Sequence, residues 1–261
     1  MTNYIEDFVY VTLVLYLLAA GCYFLGNKNK SIARTGLLIA IAGIATNLMA
    51  LISRALLVSR LPITNGAEFI LSFSGFTVIA YAFYELKSRN NNAGGVVLMI
   101  AAMLVGSIVT LMPEQLGDVK PLMPALKSPW LTSHVLTAIF SYGGFALAAG
   151  LAAIQLWRAN SSKGEEWIYK IVAVSFVMLT VTIVLGAIWA EQAWGRYWSW
   201  DPKETWALVT WIIYAVYLHL YRQKSWKGQK SNMLVVGGFI LVLFTYFGVN
   251  FLLSGLHSYG G

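Results

Sequence analysis

The 261-residue chain is 58% hydrophobic and 11% charged, with a mean hydropathy of +0.67; soluble domains carry about 25% charged residues, so a soluble core inside a polar shell is excluded. The net charge of +7 and pI near 9.4 come from basic residues that form no dense patch interleaved with aromatics, which excludes a nucleic-acid partner. The single cysteine, Cys22, excludes a disulfide framework and a Cys-x-x-Cys redox pair within the chain, so any thiol chemistry belongs to a partner.

The N-terminus, MTNYIEDF, carries acids where a signal peptide has basic residues, and the first apolar run is expected to be retained. Apolar stretches of the length that crosses about 30 Å of hydrocarbon lie at about 8–26, 34–58, 67–86, 95–112, 134–157, 168–190, 203–222 and 232–253. At this length only helices satisfy their own backbone in lipid, which predicts an all-α polytopic membrane bundle of about eight transmembrane helices. Alternating the sides gathers Lys28, Lys30, Arg34, Lys87, Arg89, Arg158, Lys163, Lys170, Arg222, Lys224, Lys227 and Lys230 on one side, twelve of the 18 basic residues. Arg54, Arg60, Lys120, Lys127, Arg196 and Lys203 fall on the other. The richer side is then cytoplasmic, and both termini, segment 113–133 and segment 191–206 face outward. No internal repeat or low-complexity linker is evident, so 1–261 reads as a single integral membrane domain.

Three histidines are the chain's candidate metal ligands. Ser128 and Pro129 read as N-cap and first residue of the fifth span, which puts His134 about 9 Å below its outer end. Between the sixth and seventh spans, WGRYWSWDPKETW holds Trp194, Trp198, Trp200, Trp206 and Tyr197. An aromatic belt at the interface supplies only one or two such residues per helix end. Trp194, Tyr197 and Trp198 are spaced to share a face in a helical turn, which predicts a flat aromatic ledge. Asp201, Pro202 and Glu204 then mark a helix start. A planar, apolar ligand with acidic groups, such as a porphyrin, would lie on that ledge with Arg196 and Lys203 beside it. His219 stands about 25 Å further down the seventh span, near the cytoplasmic end. His257 follows the eighth span on the outer side. Two imidazoles on the face of the ledge suit axial ligation of haem iron. If His219 also binds haem, no second histidine of this chain lies on its side, which implies a partner or a non-histidine ligand.

The block from Trp194 to His219 resembles the tryptophan-rich "WWD" signature of the CcsA/ResC family of cytochrome c synthesis proteins. SPWLTSH (128–134), NFLLSGLHSYG (250–260) and, more loosely, PITNGAEFILSFS (62–74) agree with it, the last departing from the aromatic-Glu pattern near Glu68. The resemblance implies a haem b relay: haem is taken up at an inner site and presented under the tryptophan loop at an outer one. His134 and His257 would be the outer axial ligands, with Trp194, Trp198, Trp200 and Asp201 forming and anchoring the ledge. Gly195, Arg196, Tyr197 and Trp206 would complete the haem contacts, and His219 would be an inner ligand. A ResB/CcsB-type subunit would supply the matching inner histidine. The reaction joins the thiols of an apocytochrome c Cys-x-x-Cys-His segment to the haem vinyl groups, needs reduced iron and depends on a thiol-reducing pathway. The membrane would be a bacterial plasma membrane, with a thylakoid membrane as the alternative. Competing readings are a CcmC-type protein that hands haem to a carrier, expected to have six spans; a small-solute transporter, for which inverted repeats and broken midplane helices are missing; and a scaffold for the partner subunit.

Overall fold

The computed structural model describes residues 2–26, 29–158 and 164–253. Among these are eight long helices and no strand: α1 Thr2–Leu25, α2 Lys30–Val58, α3 Gly66–Ser88, α4 Gly94–Leu111, α5 Pro129–Arg158, α6 Glu165–Trp194, α7 Pro202–Leu220 and α8 Gln229–Leu243. The last runs on through a π-helical segment, Phe244–Gly248, and a final turn, Val249–Leu252. All eight predicted spans are helices, and most begin before their apolar run because polar caps belong to the helix too. Asn29 accepts from the Ser31 amide, and Asn65 and Asp201 each form a capping box with the acid three residues on.

Seven of these helices are long and apolar enough to cross a membrane, which makes the chain a multi-pass membrane protein. The predicted seventh span, α7, falls short in apolarity although its 19 residues give it about 28 Å of length. Lys203, Glu204, Tyr214, Tyr217 and His219 dilute it. Helix contacts group the described chain into two compact units, 1–121 and 122–261.

In the first unit α1 packs on α2, α2 on α3, α3 on α4 and α4 on α1. Ala19 and Ala20 of α1 and Ala33, Ala40 and Ala50 of α2 are buried, and side chains this small let helices approach closely in lipid. Hydroxyls and amides add polar links: Thr12 Oγ1 lies 2.8 Å from Thr46 Oγ1, and Asn47 Nδ2 donates to Ser74 Oγ at 3.3 Å. One end is tied by charge. Arg54 and Glu68, each 1% exposed, pair at 2.8 Å. Arg60 donates to the other carboxylate oxygen at 2.9 Å, and the Thr64 amide at 2.8 Å. The Arg54 guanidinium also donates to the carbonyls of Leu116, at 3.1 Å, and Asp118. Buried charges survive only when paired and fully hydrogen-bonded, and this set meets that condition while pinning segment 113–118 to the ends of α2 and α3.

The second unit repeats the neighbour order, with α5 on α6, α6 on α7, α7 on α8 and α8 on α5. Its centre is a stacked pair, Phe145 and Tyr214, with ring centroids 3.7 Å apart and planes 4° from parallel. The Tyr214 hydroxyl donates to the Val235 carbonyl at 3.3 Å. Ser141 Oγ donates to the Ser175 carbonyl, Trp211 Nε1 to Thr180 Oγ1 and Asn232 Nδ2 to Gln155 Oε1, one link for each of three helix pairs. This packing brings the start of α5, the end of α6, the start of α7 and the end of α8 to one end of the unit, where the tryptophan loop lies.

Candidate functional site

Ser128 caps α5 as expected: its Oγ accepts from the Trp130 amide at 3.3 Å and donates to Gln192 Oε1 of α6 at 3.2 Å. One and a half turns on, His134 Nδ1 lies 2.8 Å from the Thr182 carbonyl oxygen. A carbonyl can only accept, so Nδ1 carries the hydrogen and the lone pair of the neutral ring lies on Nε2. Space for the imidazole comes from Gly186, where a β-carbon would sit 2.7 Å from Nδ1 and 2.8 Å from Cε1. Thr182 Oγ1 donates to Thr137 Oγ1 at 3.0 Å, and Thr137 Oγ1 lies 2.9 Å from the His134 carbonyl, so hydroxyls lock this register of α5 on α6.

An aromatic series leads outward from the imidazole. Trp189 is stacked near it at 6.4 Å with planes 22° apart, and Trp194 meets Trp189 edge-on at 4.9 Å. Trp189 Nε1 donates to the Ala125 carbonyl at 2.8 Å. Beside these rings is a cleft of about 580 Å³, lined among others by Met123, Ala125, Lys127, Trp189, Gln192 and Trp194, within the usual size of small-molecule sites.

The predicted helical turn from Trp194 to Trp198 does not form. Gly195 adopts φ 72° and its amide donates to the Glu191 carbonyl at 2.8 Å, a left-handed stop that ends α6 at Trp194. Trp194 and Trp198 therefore belong to two different ring pairs, and the second is Trp198 edge-on to Trp200 at 5.7 Å. Trp200 has φ 58° and is 66% exposed. A left-handed backbone costs a residue with a β-carbon about 1 kcal/mol or more, so its neighbours must hold it. Glu204 Oε2 accepts from the Ser199 amide at 2.8 Å and the Asp201 amide at 3.1 Å, and Thr205 Oγ1 donates to the Trp200 carbonyl at 3.3 Å.

Asp201 is buried, and its Oδ1 accepts from the Lys203 amide at 2.9 Å. Lys203 Nζ reaches across to the final turn, Val249–Leu252, and donates to Asn250 Oδ1 at 2.8 Å. Trp206 packs edge-on against Phe244 of the π segment at 4.5 Å. Arg196 and Tyr197 are exposed on the loop.

His134, Trp194, Trp198, Trp200, Asp201 and Trp206 thus lie on the elements that meet at this end. His219 lies at the other end of α7, exposed and with no hydrogen-bond partner among the described residues. His257 lies outside the described residues. The sequence reading missed Thr182, Gly186 and Trp189, although their spacing of four and three puts them on one face of α6. A small residue between a polar and an aromatic one on that face signals a pocket for a side chain from the facing helix.

The sequence profile of the family described as "Cytochrome C assembly protein" matches residues 64–257. Proteins named "Cytochrome c biogenesis protein CcsA" are similar over most of the chain. The one from Cyanophora paradoxa is 32% identical, covering 97% of this chain and 94% of its own. That from Guillardia theta is 30% identical, covering 99% and 96%. Among solved structures, "Cytochrome c Heme Lyase CcmF" superposes with a TM-score of 0.79 at 17% identity, over 98% of this chain and 47% of its own length, a likeness of fold.

Proposed function

The chain belongs to the cytochrome C assembly protein family, and on that premise we propose that it is the haem-presenting subunit of a cytochrome c synthase. The observation that carries this reading is the His134 contact: Nδ1 held on the Thr182 carbonyl gives Nε2 the lone pair of an axial ligand, and Trp189, stacked near that imidazole, lines the cleft. Metal-binding histidines typically donate their other ring hydrogen to such an acceptor. The residues fit a haem. Flat apolar walls come from Trp189 and Trp194, and Lys203 supplies a cation for an acidic group.

His134 and His257 act as the outer axial ligands, and the loop of Trp194, Gly195, Arg196, Tyr197, Trp198 and Trp200, anchored through Asp201 and Trp206, holds the vinyl edge toward the outer side. The chain's contribution is positioning. Each thiol of an apocytochrome Cys-x-x-Cys-His segment adds across one vinyl group: an S–C bond forms at one carbon, the thiol hydrogen goes to the other, and no oxidant is consumed. His134 and His257 would hold the iron until the histidine of the incoming motif takes the place of one of them, and the ferrous state would be supplied by a reductant outside this chain. Haem reaches this site from an inner one on His219, whose exposed ring suits completion by a ResB/CcsB-type subunit.

Alanine at His134 or His257 should abolish holocytochrome formation in cells carrying the partner subunit, and added imidazole should restore part of it. Wild-type yields from both variants would refute the ligand assignment. Purified His219→Ala should lose one haem population while keeping the outer one, and an absorption spectrum and haem content equal to the parent's would remove the inner site.

A further inference from the structure

Two helices of this chain start with the same device, and the difference between them points to a role for Glu204. At α3 the Glu68 carboxylate takes the amides of Thr64 and Asn65, two consecutive residues, at 2.8 and 3.3 Å. At α7 the Glu204 carboxylate takes those of Ser199 and Asp201 and passes over Trp200 between them. The residue passed over is the one with the left-handed backbone, φ 58°, and its indole stands 66% exposed, edge-on to Trp198. Capping a helix needs no such detour, since the α3 arrangement does it with adjacent amides. Exposure means that burial does not hold Trp200 in place. Besides the edge of Trp198, its restraints are local hydrogen bonds: the two amides on Glu204, Ser199 Oγ at 3.3 Å from the same carboxylate oxygen, and Thr205 Oγ1 on its carbonyl.

We propose that Glu204 is the positioning residue of the tryptophan loop, clasping the backbone on both sides of Trp200 so that this indole projects to face the planar ligand of the outer site. This rests on the haem-presenting reading above. Glu204 itself touches no ligand and acts through Trp200. Glycine at 200 would adopt the same φ unaided, so the clasp matters only while a residue with a β-carbon stands there.

The test is a double-mutant cycle on the purified full-length chain, reading haem affinity, the Soret spectrum and thermal unfolding. Glu204→Ala should weaken haem binding about tenfold and shift the Soret band. Glu204→Gln, whose amide oxygen can still accept both hydrogen bonds, should stay within about twofold of the parent. Trp200→Gly should match the alanine variant, and Trp200→Gly/Glu204→Ala should be no worse than Trp200→Gly alone. Losses that multiply in the double variant, or parental affinity in Glu204→Ala, overturn the role. Should Glu204→Ala not fold, recovery of folding in the Trp200→Gly background supports the clasp, and failure there makes Glu204 a helix cap only and overturns it. A parent chain with no Soret band overturns the haem reading and this role with it; a haem-loaded parent with multiplying losses overturns this role alone.

Discussion

Gly186 shows how much of the outer site rests on one missing methyl group. Alanine there would put a β-carbon 2.7 Å from His134 Nδ1, so the imidazole must shift and its contact with the Thr182 carbonyl is strained or lost. Loss of such an outer-shell contact usually costs about tenfold or more in metal affinity. The purified Gly186→Ala protein should accordingly lose haem or show altered axial ligation, partly reversed by added imidazole; an unchanged spectrum would mean that His134 is not held for ligation.

Among elements, the helix starts were the most legible from sequence. Asp201, Pro202 and Glu204 announce α7 by residue type alone, and the structure forms that capping box. The aromatic turn before it was not legible as drawn. Spacing of three and four fits a helix only where the backbone continues, and the left-handed Gly195 ends α6 at Trp194. The ion pair of α2 and α3 was out of reach for another reason. Nothing local shows that Arg54, fourteen residues before Glu68, will meet it behind segment 113–118. Removing one member of a buried pair strands the other's hydrogen-bonding groups, at a cost of about 3 kcal/mol or more. Arg54→Ala should unfold at a clearly lower temperature in detergent than the parent, with segment 113–118 more open to protease. An unchanged melting temperature would show the pair to be dispensable.

For the molecule as a whole, hydropathy alone yields an all-helical membrane protein, because lipid leaves the backbone no other way to satisfy itself. The order of packing within 1–121 and 122–261 was not readable, since lipid-facing and helix-facing positions are equally apolar and only side-chain fit separates them. Nor was the π segment at Phe244–Gly248, which no residue type announces. It wraps five residues where ordinary pitch would wrap about four, and so carries a spare one. In uninterrupted α6, deleting a residue would swing everything beyond it by about 100°. Deleting Phe247, by contrast, would return α8 to ordinary pitch with Asn250 still turned toward Lys203. This stretch of the protein should therefore tolerate a chain shortened by one where its neighbours would not.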